Sequence, residues 1–560
     1  MCVAFAVAEE RHPQLVVGHL RDEMRLAAEV DAARLQVRVR RVDIIDLEVD
    51  GRRWVNELLL GGYIQHQTNA IAVEEREGRR HLKEEAHAER VTIEDDRTRQ
   101  VFHGNGDLAD GRQVCCHCRV SLYTYLATFP LTNLLFPLFY FPLFHFHHVV
   151  RFLMTPVGSS GDHHPFIGIG RTLRERGHEV VVLTAAPFQD MVIGAGLEFQ
   201  PTISREEYDR VTRNTDLWHP RKGLALVMRE VGQALPLAYE LVTNAYRPGT
   251  VLVHHGLSLG GRIFEEKHGV PAATLQLAPS VFRSEYQPPA FRPGSDLSGW
   301  PRWTKRTIWW AVDRFMLDPA IAPHINAFRH ELNLPPVHRV WRDWVHSPRR
   351  VIGLFPKWFG PPQPDWPAAL RLTGFPLYDE SEQQRVPPSV ERFLNEGDPP
   401  ILFTPGSANQ LAETFFREAI GAARRLGKRA LLLTRYGSQL PTLPPGIHYE
   451  PYVPFSAVLP RCAAIVHHGG IGTLAQAIAA GTPQLTMPMG FDQPDNATRL
   501  ARLGIGRWVR PAEFTAEHVA AALRGLLDDP RTRESCARWS AQLRQERAID
   551  HTCDLLEQVA

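Results

Sequence analysis

The chain has 560 residues, 44% of them hydrophobic and 22% charged, with a formal net charge of +1. That length predicts two or three domains of a globular protein. The near-neutral balance excludes a strong field for nucleic acid, and no nucleic-acid motif is present.

Residues 1–148 differ in texture from the rest of the chain. Arg and Glu are dense over 74–99, with little strand or helix periodicity. Three of the seven cysteines cluster at Cys115, Cys116 and Cys118. They form no disulfide framework, which fits a reducing cytoplasm, and no second pair stands at zinc spacing. Residues 122–146 are abruptly apolar and long enough to span a bilayer. Pro130, Pro137 and Pro142 would each delete a helix hydrogen bond there. The stretch also lies too far from the N-terminus for a signal peptide. Three readings stand: translation upstream of the true start, a disordered or poorly folded addition, or a membrane-associated module. The first is preferred, with the start then at Val149, Val150 or Met154.

From residue 149 onward strands and helices alternate. Residues 149–156 read as a strand ending in Gly158-Ser159-Ser160-Gly161. A helix follows, with Phe166, Ile169 and Leu173 on one face and a stop at Gly177. Residues 178–184, 250–254 and 271–277 read as strands, and 259–268 as a helix. Residues 373–400 are rich in Pro, Asp, Glu and Ser and read as a connection. The alternation then resumes. Strands are predicted at 401–404, 430–434, 463–467 and 484–488. Helices are predicted at 412–426, 473–480, 496–503, 515–527, 533–545 and 549–559. This is an α/β chain with two tandem parallel sheets facing a central cleft. The predicted organisation is an atypical extension at 1–148, a Rossmann-like acceptor-binding domain at 149–375, a linker at 376–400, and a Rossmann-like nucleotide-sugar-binding domain at 401–560.

The most specific segment is Val466-His467-His468-Gly469-Gly470-Ile471-Gly472-Thr473. It is followed by Gly481-Thr482-Pro483 and then Asp492-Gln493-Pro494-Asp495-Asn496. A strand ends at His467, and glycines then let the backbone approach a ligand. A helix starts near Gly472 and Thr473, so free N–H groups and the helix dipole face that approach. This is an anion site suited to a pyrophosphate. His468 can add a donor to a phosphate oxygen, whereas His467 reads as structural. Asp492 and Gln493 follow the next strand, within reach of sugar hydroxyls. A lone glycine-rich turn would carry little weight; the three elements in this order carry more.

This segment resembles the nucleotide-binding signature of the glycosyltransferase B-fold (GT-B) enzymes related to UDP-glycosyltransferases, and the likeness spans residues 150–560. Within that family the strings Asp216-Leu217-Trp218-His219-Pro220, Trp344-Val345-His346-Ser347-Pro348 and 354–367 resemble the bacterial rhamnosyltransferases of rhamnolipid synthesis. The resemblance implies that His468 touches the donor's phosphates with Gly469, Gly470, Gly472 and Thr473. Gly406 and Ser407 match a second phosphate-facing turn, and Ser160 joins the donor site from the first loop. Tyr452 and Val453 fall where an aromatic ring meets the nucleobase. Asp492 and Gln493 match the acid–amide pair that grips the sugar. Gln476 stands where plant members carry a ribose-binding glutamate, and an amide makes the weaker contact.

The resemblance also places a general base, His or Asp, three residues before Pro165, where this chain has Asp162. Asp162 would take the acceptor's proton as its oxygen attacks the anomeric carbon, inverting the configuration. The alternative is that Asp162 caps the following helix, and the two roles are compatible. His163 and His164 are rival bases. No Asp-x-Asp motif is placed to hold a metal, so no metal and no cofactor is implied beyond a UDP- or dTDP-sugar donor.

Trp300, Trp303, Trp309 and Trp310 lie among Arg302, Lys305 and Arg306. They fit either an apolar acceptor entrance or membrane interface, or a core helix with basic residues outside; the core helix is preferred. The predicted function is an inverting hexosyl transfer, rhamnose or glucose in type, to a hydroxyl of a lipid, sterol or natural product. The expected enzyme is cytoplasmic, with peripheral contact at the inner membrane face. A nucleotide-sugar 2-epimerase of the same fold and a non-catalytic sugar-nucleotide-binding partner are the alternatives.

Overall fold

A computed structural model describes the backbone of Cys2–Glu9 and His12–His19, and residues 149–560 apart from Pro220, Arg221 and Asp296. The chain forms two compact units, Met1–Phe146 and His147–Ala560. In the first, strands β1 (Cys2–Glu9) and β2 (His12–His19) pair antiparallel, a hairpin the sequence reading did not anticipate. The cysteine cluster at 115–118 and the apolar stretch 122–146 lie outside the described residues.

The second unit carries two parallel sheets. The first contains β3 (Arg151–Thr155), β4 (Glu179–Thr184), β5 (Glu198–Pro201), β6 (Thr250–His255), β7 (Ala272–Gln276), β8 (Val351–Gly353) and β9 (Leu370–Leu372), ordered β5-β4-β3-β6-β7-β8-β9. The other contains β10 (Ile401–Thr404), β11 (Ala430–Leu433), β12 (Ile447–Glu450), β13 (Ala464–His467), β14 (Gln484–Thr486) and β15 (Gly506–Trp508), ordered β12-β11-β10-β13-β14-β15. The central strands are covered on both faces. They therefore read as unbroken apolar runs, such as Phe152, Leu153 and Met154, all with no exposed surface.

In each sheet the strand order reverses beside the first strand, between β3 and β6 and between β10 and β13. Parallel topology puts ligand crevices outside the carboxyl ends of strands at such reversals. The loops after β3, β10 and β13 are those that carry Ser159, Gly406 and His468.

Two features depart from the sequence reading. The stretch read as a linker contains a helix, Pro388–Asn395, whose Val390 and Leu394 are buried against Leu402 and Leu431 of the second sheet. The last helix, Ala548–Glu557, was assigned to the second domain, yet it packs on the first helix of the other sheet. Cys553, Leu555 and Leu556 join a core with Phe166 and Ile169, and Arg176 bonds Asp554 at 2.7 Å. An amphipathic helix shows in sequence which face is apolar, but not what will cover it.

Candidate active site

The helix Ser160–Glu175 begins with a reciprocal cap. The Ser159 backbone N–H donates to Asp162 Oδ2 at 2.6 Å, and the Ser159 hydroxyl donates to the same oxygen at 3.0 Å. The capping role of Asp162 is therefore real. Among the described residues no other residue bonds its Oδ1, and Asp162 lines the large cavity between the sheets. Burial raises the Asp162 pKa, against the two hydrogen bonds from Ser159 that lower it. His163 is not a free base. Its Nδ1 lies 2.7 Å from the Ser159 carbonyl, its Nε2 meets the Thr184 hydroxyl, and its ring stacks on Phe188 at 3.6 Å. Desolvation holds its pKa down at about 3, so it stays neutral and fixes the loop. His164 lies 3.3 Å from Glu380 Oε1 on the connecting segment.

Opposite this loop, Gly470 caps the helix Ile471–Ala480 with no side-chain partner, leaving its first N–H groups to the cavity. The two helix starts meet closely: a methyl group on Gly472 would sit 3.4 Å from the Gly161 carbonyl oxygen. The His468 ring fills the space between Gly406 and Gly470. A methyl group would come within 2.8 Å of that ring at Gly406 and 2.4 Å of its Nε2 at Gly470. Gly406 also has φ +98, which disfavours any side chain. Burial lowers the His468 pKa to about 4, and its Nδ1 is buried with no hydrogen-bond partner. Ser160 Oγ is buried and unpartnered in the same way. Buried polar atoms of this kind are normally satisfied, and both residues line the cavity.

That cavity holds about 950 Å³. It is lined by Asp162 and by Ser160, Gly406, Ser407, Tyr452, Val453, His468, Gly470, Gly472, Thr473, Gln476, Asp492 and Gln493. Gly469 is the exception among the anticipated residues. It is buried behind the wall, its N–H donating to His467 Nδ1 at 3.1 Å and its carbonyl accepting from Asn496 at 3.0 Å. His467 is structural, as read: its Nε2 lies 3.1 Å from Gln484 Oε1 and it has no exposed surface.

Comparison with known proteins bears on this geometry. Residues 152–287 match the glycosyltransferase family 28 N-terminal domain, and residues 429–553 match the erythromycin biosynthesis protein CIII-like C-terminal domain. O-mycaminosyltylonolide 6-deoxyallosyltransferase of Streptomyces fradiae is 32% identical over 439 residues, covering 73% of this chain and 98% of that protein. The chain belongs to the GT-B glycosyltransferases of this family. The 4'-demethylrebeccamycin synthase of Lentzea aerocolonigenes is 23% identical over 73% of this chain and 99% of its own length. The kitacinnamycin glycosyltransferase structure superposes with a TM-score of 0.56 at 21% identity, over 74% of this chain and 99% of that one. The spinosyn rhamnosyltransferase complexed with thymidine diphosphate superposes with a TM-score of 0.52 at 18% identity, over 73% and 100%. These two structures share the two-sheet fold.

Several side chains lining the cavity of this glycosyltransferase also hold backbone groups. Gln493 Oε1 accepts from the Met489 N–H at 2.8 Å and the Gly490 N–H at 3.3 Å, so it braces its own loop. Gln476 donates its amide to the Tyr378 carbonyl at 3.1 Å. The Tyr452 hydroxyl accepts from the Glu380 N–H at 3.2 Å, which anchors the ring at the cavity wall.

Asp492 starts the helix Gln493–Arg502 and accepts from Asn496 Nδ2 at 2.7 Å. Burial and then the Asp162 carboxylate push its pKa up to about 7. Asn496, fully buried, thus ties Asp492 to the glycine loop. The motif contained this residue, but its role needed the fold. Trp218 was also missed. It lines the cavity, packs edge-on against Phe491 at 6.0 Å, and its buried Nε1 has no partner.

The tryptophan helix reverses the preferred reading. In the helix Arg302–Val312 the buried residue is Lys305, which donates to the Tyr286 carbonyl at 2.8 Å and the Ser298 carbonyl at 3.1 Å. Trp300, Trp303 and Trp310 are exposed. An ammonium can be buried where carbonyls replace its water, and that frees the helix to turn its rings outward. Among the described residues no cluster of His, Cys, Asp or Glu could hold a metal ion, and no helix is long and apolar enough to cross a membrane.

Proposed function

We propose that this glycosyltransferase moves a hexose or deoxyhexose from a dTDP- or UDP-sugar to a hydroxyl of a hydrophobic acceptor, with inversion at the anomeric carbon. The reading rests on one observation: a carboxylate and an uncapped helix amino end face each other across one cavity. The acceptor oxygen loses its proton to Asp162 and bonds to the anomeric carbon. The bond from that carbon to the diphosphate breaks, and the leaving charge is stabilised by the Ile471–Ala480 helix start and His468. His468 is neutral at working pH, so it acts as a hydrogen-bond donor and not as a cation. Tyr452 and Val453 receive the nucleobase, Gln476 the ribose, and Asp492 the sugar.

The relatives favour the donor class. One is named for 6-deoxyallosyl transfer, and the spinosyn rhamnosyltransferase was solved with thymidine diphosphate. The rhamnolipid-like strings point the same way, towards a rhamnose-type donor and a lipid acceptor. The acceptor half of the cavity supports an apolar partner: Phe188, Leu224, Val227, Met228, Val231, Leu235 and Leu241 line it. A water-poor acceptor would suit an enzyme working at the inner membrane face.

The test is a panel of sugar nucleotides and acceptors read by mass spectrometry. Transfer to an apolar alcohol is expected. Inversion at the sugar's C2, or binding without turnover, would replace the proposal. His468→Ala should weaken donor binding by about 10-fold or more, the worth of one hydrogen bond to a charged group. Calorimetry showing unchanged affinity would remove His468 from the phosphate site.

The facing carboxylates give a pH prediction. Burial raises the Asp162 pKa, and burial followed by the Asp162 carboxylate raises that of Asp492 to about 7. Asp162 must be ionised to act as base, so kcat/KM should fall on the acid side. Asp162→Asn deletes the like charge beside Asp492 and should lower the Asp492 pKa below about 7, read by NMR titration of its carboxyl carbon. An Asp492 pKa that stays in place would show that the two carboxylates do not interact.

A further inference from the structure

The segment 302–316 presents two stripes at helical spacing. Trp309, Val312 and Met316 line the acceptor half of the cavity. Trp303, Arg306, Trp310 and Arg314 face the other way. Trp303 is 69% exposed, Trp310 59% and Phe315 68%, and Trp310 packs edge-on against Phe315 at 5.7 Å. Three large rings this open on one short segment exceed the scattered apolar residues of an ordinary surface. The exposed charges between them are Arg302, Arg306 and Arg314, of which Arg302 and Arg306 lie 3.5 and 2.9 Å from the Glu285 carboxylate. The one acidic residue of the segment, Asp313, is buried in an ion pair with Arg283. The surface is therefore aromatic and net cationic, three arginines against the one carboxylate of Glu285, although the whole chain carries a net charge of only +1.

We propose that this surface docks on a lipid bilayer carrying anionic headgroups. Tryptophan rings with a polar edge settle at the headgroup level, and arginines keep their guanidinium groups among the phosphates while their stems lie on apolar surface. The same helix then forms both the membrane contact and a wall of the acceptor cavity. An apolar acceptor would pass from the bilayer past this helix with a short exposure to water. The contact is peripheral: the segment lies on the surface and does not span. Its purpose rests on the hydrophobic-acceptor reading above, but vesicle binding is measured with neither donor nor acceptor, so each can fail alone.

The test is co-sedimentation of the full chain with vesicles of phosphatidylcholine and phosphatidylglycerol, beside vesicles of phosphatidylcholine alone. Binding to the mixed vesicles is expected, weaker on the neutral ones and reduced by salt. Trp303→Ala with Trp310→Ala should weaken it by at least about 10-fold, with the urea midpoint unchanged because both rings are exposed. Arg302→Gln with Arg314→Gln should abolish most of the difference between the two lipid compositions, which keeps the charge argument testable if the tryptophan variant misfolds. No binding by the wild type, or equal binding by the variants through another part of the chain, overturns the proposal. So does a wild-type dimer in sedimentation velocity that the tryptophan variant dissociates, since the patch would then be a face between copies.

Discussion

Asp162→Asn is expected to lower turnover by about 10²–10⁴-fold while leaving donor affinity within about threefold of wild type. The reason lies in the two jobs this carboxyl group holds. As part of the helix cap, Oδ2 needs only to accept from the Ser159 N–H and hydroxyl. An asparagine carbonyl can do that, so the Ser160–Glu175 helix should keep its start. As a base, the group must accept a proton, which an amide cannot do at working pH. Losing an anion at a helix amino end costs about 0.3–1 kcal/mol, and removing a partly desolvated charge offsets some of it. Asp162→Ala is the control that separates the roles. It strands the Ser159 N–H, and stability should fall by about 1–3 kcal/mol. An Asn variant that turns over like wild type would end the base assignment. An Asn variant as unstable as the Ala variant would make Asp162 a structural residue only. Turnover is measured with the donor and acceptor found in the panel, and stability by urea unfolding.

The parts of this site that the sequence showed are those fixed by local chemistry. Strand β10 was read at its observed bounds, because a strand buried on both faces is an uninterrupted apolar run with turn residues after it. The strand-to-helix turns after β3 and β13 were read from their glycines and serines, since caps and left-handed turns admit few residue types. The caps themselves are Ser159 and Gly470, where the sequence reading put Asp162 and a start near Gly472. What stayed hidden depends on partners distant in the chain. β12 was missed: all four residues are only partly buried, so no clean alternation or run marks it. β8 and β9 have three residues each, too short for any period to register. Gln476, placed by the resemblance, lines the cavity, and its bond to the Tyr378 carbonyl is one that only the folded chain brings near. The helix Arg302–Val312 is the clearest case. Its stripe of tryptophans is legible, but burial of Lys305 by two carbonyls from the preceding loop decides which side faces water.

Arg499→Met should destabilise the protein by about 3–5 kcal/mol, read as a fall in the urea midpoint, because it breaks a buried ion pair and leaves one charge uncompensated. Arg499 and Asp495 are both almost fully buried and bond at 2.7 Å. Each also holds the other half of the molecule. Arg499 donates to the Phe359 carbonyl at 2.7 Å, and Asp495 Oδ1 accepts from the Ala290 N–H at 2.9 Å. Next along the helix, the Thr498 hydroxyl accepts from the Gly294 N–H at 3.1 Å. The helix that begins after Asp492 is thus joined to two loops of the other half, one at Phe359 and one at Ala290 and Gly294, by three long-range bonds. Removing Arg499 should therefore cost more than packing: Asp492 and Asn496 share that helix, so donor KM should rise as well. Arg499→Lys keeps the charge, but one ammonium cannot reproduce the fork that reaches both oxygens, and an intermediate loss is expected. If the Met variant loses less than about 1 kcal/mol, the pair is not a buried weld, and the position of Asp492 must be set by its own loop through Gln493 and Asn496.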